Sequence, residues 1–300
     1  MTRRTDITIL DGGMGRELKR MGAPFSQPLW SAQALLEDPD AVRQAHLNFT
    51  KAGADILTTN AYALVPHHMG ADLYAQKHAE LTALSARLAA DAASGIKGRD
   101  IRVAGCVPPV FGSYRPDLFD ADQAESLIAP FFKLQRDWCD LFLAETVSSM
   151  QELRAIKTVY DRHGGGKDLW VALTLDELAE NLDDPLLRSG EKVQDVLSEI
   201  ETDIQPAALL FNCCPIENIL PALRIARQGL SETLPVGAYP NAFTNTPKPR
   251  TATITSTLRH DVTPAFYLTH AQSWTQTGAT IIGGCCGIGP EHIETIANQL

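Results

Sequence analysis

The sequence predicts an α/β fold, a closed (β/α)8 TIM barrel that forms a single domain over residues 1–300. Eight short, apolar, β-rich runs alternate with amphipathic stretches, and this alternation indicates parallel strands joined by helical crossovers. Eight such units favour a closed barrel over an open sheet, and 300 residues accommodate one barrel with long loops. No linker rich in Pro, Gly and Ser divides the chain.

The elements follow one another in a regular order. The predicted strands are Ile7–Asp11, Asp55–Asn60, Ile101–Cys106, Leu141–Glu145, Leu169–Thr174, Ala208–Cys213, Val236–Tyr239 and Thr280–Gly284. Apolar residues at helical spacing predict the helices Ala41–Ala52, Ala75–Ala93, Ala121–Trp138, Met150–His163, Val193–Ile200, Ile216–Gln228, Thr263–Thr277 and Pro290–Leu300. Long polar loops follow three of the strands, at Gly112–Asp120, Asp176–Gly190 and Asn241–Asp261. In a barrel these loops would lie at the carboxyl face, where active sites are built.

Composition and charge narrow the classes of partner. The net charge of −10 argues against a nucleic-acid partner, whose phosphates would be repelled, and says little about the substrate. No apolar run reaches the roughly 18 residues of a membrane helix, so no membrane partner is expected. The N-terminus enters a strand without the apolar segment of a secretion signal, which predicts a cytoplasmic protein. In that reducing compartment the six cysteines are expected to be thiols or metal ligands.

Two adjacent cysteines end the eighth predicted strand. Neighbouring side chains of a regular strand point to opposite faces, so Cys285 and Cys286 need a turn to reach one point. Glycines at 283, 284 and 287 permit such a turn. Another cysteine pair, Cys213-Cys214, ends the sixth run, and Cys213 is favoured because it continues the strand beside Asn212. Three thiolates with an open position are typical of a catalytic zinc site.

Other polar residues also end strands and would surround the same barrel mouth. They are Asp11 and Gly12, Asn60, Glu145, Asn212 and Tyr239. Glu145 follows an apolar run, where a buried carboxylate requires a partner such as a substrate ammonium group. Asp11 has a simpler alternative, capping the helix that would open near Gly15. Cys106 and Cys139, the latter expected on a helix, are interpreted as buried core residues. The alternatives to metal ligation are a tight glycine turn that merely tolerates the two terminal thiols and a vicinal disulfide between them.

With these residues assembled, the chain resembles the homocysteine S-methyltransferase family, the zinc-dependent thiol methyltransferases built on a (β/α)8 barrel. The matching segments are Leu10-Asp11-Gly12-Gly13-Met14-Gly15, Thr58-Thr59-Asn60-Ala61-Tyr62, Ala144-Glu145-Thr146, Phe211-Asn212-Cys213 and Gly283-Gly284-Cys285-Cys286-Gly287. The resemblance implies that Cys213, Cys285 and Cys286 hold Zn2+ and are the catalytic centre. It also implies that Glu145 binds the amino group of homocysteine and that Asp11 and Gly12 hold its amino-acid end. Asn60, Tyr62, Asn212 and Tyr239 are expected to complete the substrate site.

The sequence departs from the family pattern on the donor side. Residues 105–114 replace the Gly-Pro-Tyr/Phe-Gly-Ala type of segment, and residues 63–66 replace the more usual Gln-Ala-Ser. The expected donor carries its methyl group on a cationic atom, with S-methylmethionine or S-adenosylmethionine ahead of betaine or another small sulfonium. The alternatives are a different thiol or selenol acceptor and a non-catalytic zinc or redox-sensing barrel. A metal-free barrel lyase is disfavoured because no lysine ends any of the eight strands.

Overall fold

A computed structural model describes residues 7–178, 181–244 and 257–300 of the chain. Eight parallel strands form one sheet in the order β1-β8-β7-β6-β5-β4-β3-β2. Their bounds are β1 Thr8–Ile9, β2 Ile56–Thr58, β3 Arg102–Val107, β4 Leu141–Val147, β5 Asp168–Leu173, β6 Ala208–Pro215, β7 Val236–Asn241 and β8 Ile281–Ile282. A parallel bridge between Leu10 and Ile56 joins the first strand to the second. The sheet therefore closes on itself, and the predicted (β/α)8 barrel is confirmed.

Helices follow the strands around the outside of the barrel. Their bounds are α1 Met14–Arg20, α2 Ala32–Glu37, α3 Pro39–Ala52, α4 Pro66–Met69, α5 Ala71–Ser94, α6 Ala121–Gln135, α7 Met150–His163, α8 Val193–Glu199, α9 Ile216–Gly229, α10 Pro264–Gln276 and α11 Pro290–Gln299. A 3-10 turn covers Pro116–Leu118, and a π-helical turn, Ile200–Ile204, extends α8. Helix α1 begins at Met14, close to Gly15, where the sequence suggested a helix. The short helices α2 and α4 were not predicted, because segments of four to six residues show no clear period.

The sixth helix is shorter than the sequence pattern indicates. It ends at Gln135, and the backbone N–H groups of Trp138 and Cys139 both donate to the carbonyl of Gln135. Cys139 therefore lies in the turn before β4, which corrects its predicted place on a helix. It is buried there, as expected of a core cysteine.

The sequence around α3 shows how a helix boundary is set locally. Asp38 accepts a hydrogen bond from the N–H of Ala41 at 3.2 Å, and Pro39 occupies the first turn, where its missing N–H costs nothing. Gly53 ends the helix in the left-handed region with φ of 110° and donates to the carbonyls of Phe49 and Thr50. A residue with a side chain would be strained there. The chain then turns directly into β2.

Two apolar layers stabilise the barrel. The inner layer fills the space enclosed by the strands, and the outer layer lies between the strands and the helices. The inner layer consists of Leu10, Ile56, Ala104, Leu141, Leu143, Trp170, Ala172, Ala208, Leu210, Tyr239 and Ile281. Tyr239 is therefore shared between the core and the carboxyl face of the barrel. A filled interior leaves that face as the place for a ligand.

Long loops lie at the carboxyl ends of β3, β5 and β7, as the sequence predicts. The loop after β5 folds back on itself through antiparallel bridges that pair Leu175 with Leu187 and Leu186 with Lys192. Residues 245–256 of the loop after β7, residues 179–180 and the N-terminal residues 1–6 lie outside the described residues. Among the helices that are described, none combines the length and apolarity needed to cross a membrane.

Candidate metal and substrate site

A cavity opens at the carboxyl face of the barrel. All the predicted site residues except Asn212 line this cavity. They are Asp11, Gly12, Asn60, Tyr62, Glu145, Cys213, Tyr239, Cys285 and Cys286. These residues come from six strand ends that are far apart in the chain, and the closed barrel brings them to one place.

The sulfur atoms of Cys213, Cys285 and Cys286 lie within 4.8 Å of one another. Cys285 Sγ donates a hydrogen bond to Cys213 Sγ at 2.9 Å. In the described parts of the chain, no other group of three or more His, Cys, Asp or Glu side chains converges in this way. Tetrahedral zinc with Zn–S bonds of about 2.3 Å would hold its sulfurs about 3.8 Å apart. The three thiols therefore fit a thiophilic metal with a small outward adjustment.

A tight turn after β8 places two of the sulfurs. The N–H of Cys285 donates to the carbonyl of Pro240, and the carbonyl of Cys286 accepts from the N–H of Ala242, so β7 anchors both residues. Gly287 follows with φ of 90°, and a Cβ there would lie 2.7 Å from the side chain of Leu258. Only glycine meets both requirements, so the turn depends on the glycines that frame the cysteine pair.

Two irregular strand ends place the third sulfur. The register shifts in β4 between Ala144 and Val147 and in β6 between Asn212 and Pro215. Thr146 and Cys213 lie within these bulges with φ of 60° and 49°. A bulge redirects the side chains that follow it, so Cys213 faces the cavity while Cys214 is fully buried away from it. The structure thus brings the favoured Cys213, and not Cys214, to the terminal pair.

Asn212 connects the two bulges. Its Oδ1 accepts from the N–H of Thr146 at 3.0 Å, and its Nδ2 donates to Thr146 Oγ1 at 3.0 Å. The side chain is completely buried and lies outside the lining of the cavity. Asn212, expected at the substrate, therefore joins β6 to β4 through Thr146 and does not line the cavity.

The three thiols differ in charge in the metal-free protein. Hydrogen bonds from Cys285 and Cys286 hold the pKa of Cys213 well below its ordinary value. The hydrogen bonds that Cys285 makes with Cys213 and Cys286 raise its pKa, so it remains a thiol. Burial raises the pKa of Cys214 to about 12. One thiolate supported by two thiols is therefore ready for a metal ion, whereas Cys214 is not.

Two carboxyl groups lie beside the sulfurs. Burial raises the pKa of Glu145 to about 7 and that of Asp11 to about 8. Asp11 Oδ2 accepts from the N–H of Thr58 at 2.8 Å, and α1 begins after Gly13 without a side-chain cap. Asp11 is therefore not the helix cap that the sequence left open. Each carboxyl group titrates near neutral pH, so a cationic ligand group would convert either one to a carboxylate.

Cys106 has a contact that the sequence did not reveal. It is fully buried, as expected, but its Sγ donates to Glu145 Oε1 at 3.0 Å. Its backbone N–H donates to Thr59 Oγ1, and its carbonyl accepts from Gln135 Nε2. Cys106 thus fixes one oxygen of Glu145. A register between β3 and β4 that pairs Cys106 with Leu143 places the thiol near Glu145, and this register is not visible in the sequence.

Aromatic side chains form much of the remaining wall of the cavity. They are Phe25, Trp30, Tyr62, Tyr114, Tyr239 and Phe243. The Trp30 indole N–H is buried without a hydrogen-bond partner among the described residues. Aromatic faces attract cations, and an unpartnered donor suits a polar ligand group. Sequence reasoning missed Trp30 and Tyr114, which lie in irregular loops where residue spacing does not indicate side-chain direction.

Backbone strain concentrates around this cavity. The described residues other than glycine with positive φ are Trp30, Tyr114, Thr146, Gln205 and Cys213. All of these except Gln205 line the cavity or adjoin it at Glu145. Such conformations cost about 1–3 kcal/mol each and accumulate where a site requires a fixed geometry. Their distribution marks the carboxyl face as the functional surface.

Comparison with known proteins agrees with this location. The family model described as homocysteine S-methyltransferase matches residues 8–300. The chain belongs to the homocysteine S-methyltransferase family. The homocysteine S-methyltransferase of Escherichia coli strain K12 is 28% identical over 309 residues, which cover 98% of this chain and 95% of that protein. A selenocysteine Se-methyltransferase of Brassica oleracea var. italica is 26% identical over 323 residues, covering 97% of this chain and 88% of that protein.

Solved structures show the same barrel. The metallated form of the homocysteine methyltransferase MmuM from Escherichia coli matches with a TM-score of 0.80 and 26% identity, covering 99% of this chain and 97% of that chain. Its oxidized form matches equally well, with a TM-score of 0.80. The family and the fold expected from the sequence are both confirmed, and this member of the homocysteine S-methyltransferase family is a methyltransferase.

Proposed function

We propose that this enzyme transfers a methyl group from a cationic donor to the thiol of homocysteine and that Cys213, Cys285 and Cys286 hold a zinc ion. The convergence of three thiols beside a buried carboxyl group and an aromatic wall carries this proposal. The relatives named homocysteine S-methyltransferase and the metallated form of MmuM support it.

The donor set fits zinc in number, type and arrangement. Three thiolates are soft ligands, and three protein ligands leave one position for a substrate, as in catalytic zinc sites. Zinc bound there would lower the pKa of the acceptor thiol so that it attacks as a thiolate at neutral pH. The bulge at Cys213 and the glycine turn at Cys285 and Cys286 direct the three sulfurs to one point before any metal binds.

Glu145 recognises the amino group of homocysteine. Its buried carboxyl group, with a pKa of about 7, becomes ionised when an ammonium group approaches, because the cation offsets the cost of burying the charge. Cys106 donates to one carboxylate oxygen and leaves the other available. Asp11 and Gly12 adjoin the amino-acid end, and the guanidinium of Arg16, which also lines the cavity, suits a carboxylate.

The donor binds against the aromatic wall with its methyl group directed at the acceptor sulfur. Trp30 and Phe25 lie with their ring centroids 6.1 Å apart and offer faces that attract a sulfonium or quaternary ammonium group. Transfer neutralises the donor, and the product then loses this attraction. We propose S-methylmethionine or S-adenosylmethionine as the donor. Betaine is the alternative, because aromatic faces attract a sulfonium and a quaternary ammonium group through the same electrostatic interaction.

Turnover and metal content test the proposal together. The zinc-loaded, reduced enzyme is incubated with homocysteine and each of the three donors, and methionine is measured by mass spectrometry. We expect one donor to support turnover, Cys286→Ser to abolish it and Cys214→Ser to retain it. Absence of methionine with every donor contradicts the proposed reaction. Full activity in the metal-free enzyme contradicts the zinc assignment.

A selenol acceptor is a second candidate, because a selenocysteine Se-methyltransferase is among the relatives at 26% identity. Selenocysteine is shorter than homocysteine by one methylene group, so its ammonium group would lie further from Glu145 when the selenium reaches the metal. Competition between the two acceptors for one donor, scored by the methylated products, decides between them. A dominant methylselenocysteine product favours this second candidate.

A further inference from the structure

Tyr114, in the loop after β3, contacts a metal-binding sulfur. Its hydroxyl lies 2.9 Å from Cys213 Sγ, and its ring lines the cavity. The residue is held in the left-handed region with φ of 63°, a strained conformation that its surroundings impose. A cysteine that binds a metal is a thiolate without a proton, so in the metal-bound protein the hydroxyl is the donor and Cys213 Sγ is the acceptor.

Arg188, in the loop after β5, lies against the other side of this ring. Its guanidinium carbon is 4.4 Å from the centroid of the Tyr114 ring, and its side chain is only 5% exposed. Arg188 forms an ion pair with the fully buried Glu177 at 3.4 Å. Its Nε and one terminal nitrogen are buried without a hydrogen-bond partner among the described residues.

A buried guanidinium with unpartnered N–H groups is costly unless nearby negative charge compensates for it. The ring of Tyr114 and the thiolate of Cys213 supply that charge on one side of Arg188. Arginine also stacks on an aromatic face as a plane, which restricts the rotation of the ring. The arrangement therefore joins two loops to one sulfur atom of β6, from Arg188 through Tyr114 to Cys213.

We propose that Arg188 and Tyr114 act as a positioning unit for Cys213, in which the stacked guanidinium fixes the ring and the phenol donates a hydrogen bond to the thiolate. The unit rests on the proposed function because it serves the metal site assigned there. Groups that orient a metal ligand by a hydrogen bond commonly change metal affinity by about 10–100-fold. Neither residue was singled out by the sequence, and neither is a metal ligand.

The test measures metal binding directly. Tyr114→Phe removes one oxygen and keeps the ring, and Tyr160→Phe is the matched control, because the Tyr160 hydroxyl donates to the carbonyl of Lys167 at a distance from the site. Zinc affinity is measured by competition with a chromophoric chelator, and the thiolate-to-metal absorption band is recorded with Co2+. We expect Tyr114→Phe to weaken zinc about 10–100-fold and to shift the cobalt band. Wild-type affinity with an unchanged band overturns the proposal.

Arg188 is tested by a double-mutant cycle. If Arg188 acts through the ring, Arg188→Met weakens zinc in the wild-type background but changes little in the Tyr114→Phe background. Independent, additive effects overturn the coupling between the two residues. Arg188→Lys keeps a charge beside Glu177 but loses the planar face, so it provides a folded variant if the methionine substitution disturbs the loop.

Failure of the proposed function can be told apart from failure of the positioning unit. A protein that binds zinc without methylating any acceptor contradicts the reaction and still reports on the unit through zinc affinity. If the wild-type protein binds no zinc, the rate at which iodoacetamide alkylates Cys213 is compared between the variants. Each rate is measured at a pH high enough that it no longer rises with pH. We expect a rate at least threefold higher in Tyr114→Phe than in Tyr160→Phe, since the sulfur loses its hydrogen bond. Equal rates overturn the unit.

Discussion

The charge of Glu145 is the clearest target for a substitution. Glu145→Gln keeps the shape of the side chain and removes its ability to become an anion beside the ammonium group of the proposed substrate. A hydrogen bond to a charged group contributes about 1.5–3 kcal/mol, which corresponds to about 10–150-fold in affinity. Methionine, the proposed product, is the better probe because it carries the ammonium group without a titrating thiol.

The pH dependence follows from the raised pKa of Glu145, which is about 7. Below pH 7 the free enzyme holds a proton on this carboxyl group, and binding of the ammonium group must displace it. Affinity for methionine in the wild-type enzyme should therefore rise with pH and level off above 7. The Glu145→Gln enzyme has no such proton to lose, so its affinity should be flat over the same range and about 10-fold or more weaker at pH 8.

Calorimetric titration of the zinc-loaded enzyme at pH 6, 7 and 8 measures both effects. Glu152→Gln is the matched control, because Glu152 is also a buried carboxyl group with a pKa raised to about 7 but lies outside the cavity lining. Its carboxylate accepts from the N–H of Ser148 at 2.8 Å. A Glu145→Gln enzyme that binds methionine as tightly as the wild type at pH 8, or that keeps its pH dependence, refutes the assignment.

Three further predictions concern the site. Cys286→Ser should lower zinc affinity at least about 10-fold in a chelator competition, whereas Cys214→Ser should leave it unchanged, since only Cys286 belongs to the three converging thiols. Asn212→Leu should destabilise the protein by about 2–4 kcal/mol in urea unfolding, because Thr146 loses two buried hydrogen bonds; a loss below the error of the measurement would contradict its bridging role. Burial raises the pKa of Asp11 to about 8, so the folded protein holds a proton that the unfolded chain releases above about pH 4. Asp11 should therefore stabilise the metal-free protein less as pH rises from 4 to 8, so the stability of the Asp11→Asn protein relative to the wild type should rise over this range in thermal unfolding. A difference that stays constant with pH would show that Asp11 is ionised in the folded state.

Much of the fold was predictable because its signals are local. Strand β6 and helix α9 appear in the sequence as an apolar run followed by apolar residues at helical spacing, and both form where that pattern lies. The short helix α4 was missed because four residues carry no period. Helix α6 ends at Gln135, three residues before the predicted end at Trp138, because the carbonyl of Gln135 accepts hydrogen bonds from the turn that leads into β4.

The three converging thiols were predictable for a different reason. Cys285 and Cys286 lie between glycines, and a glycine turn is the local condition for two adjacent side chains to meet. Cys213 ends a strand, and the carboxyl ends of parallel strands in a barrel share one face. Asn212 lies on the same strand end, but its direction depends on a bulge and on Thr146 in a neighbouring strand. The sequence therefore could not show that Asn212 lies outside the cavity lining.

The sequence by itself determined the barrel, the face on which the site lies and the identity of the converging thiols. These features depend on the period of apolar residues, on glycine conformation and on strand polarity, all of which act within a few residues of the chain. Only the tertiary structure decided that Cys106 bonds to Glu145, that Trp30 faces the cavity and that Arg188 stacks on Tyr114. Those contacts join side chains from separate loops and strands, and their directions are set by strand register, by bulges and by packing between segments that are distant in sequence.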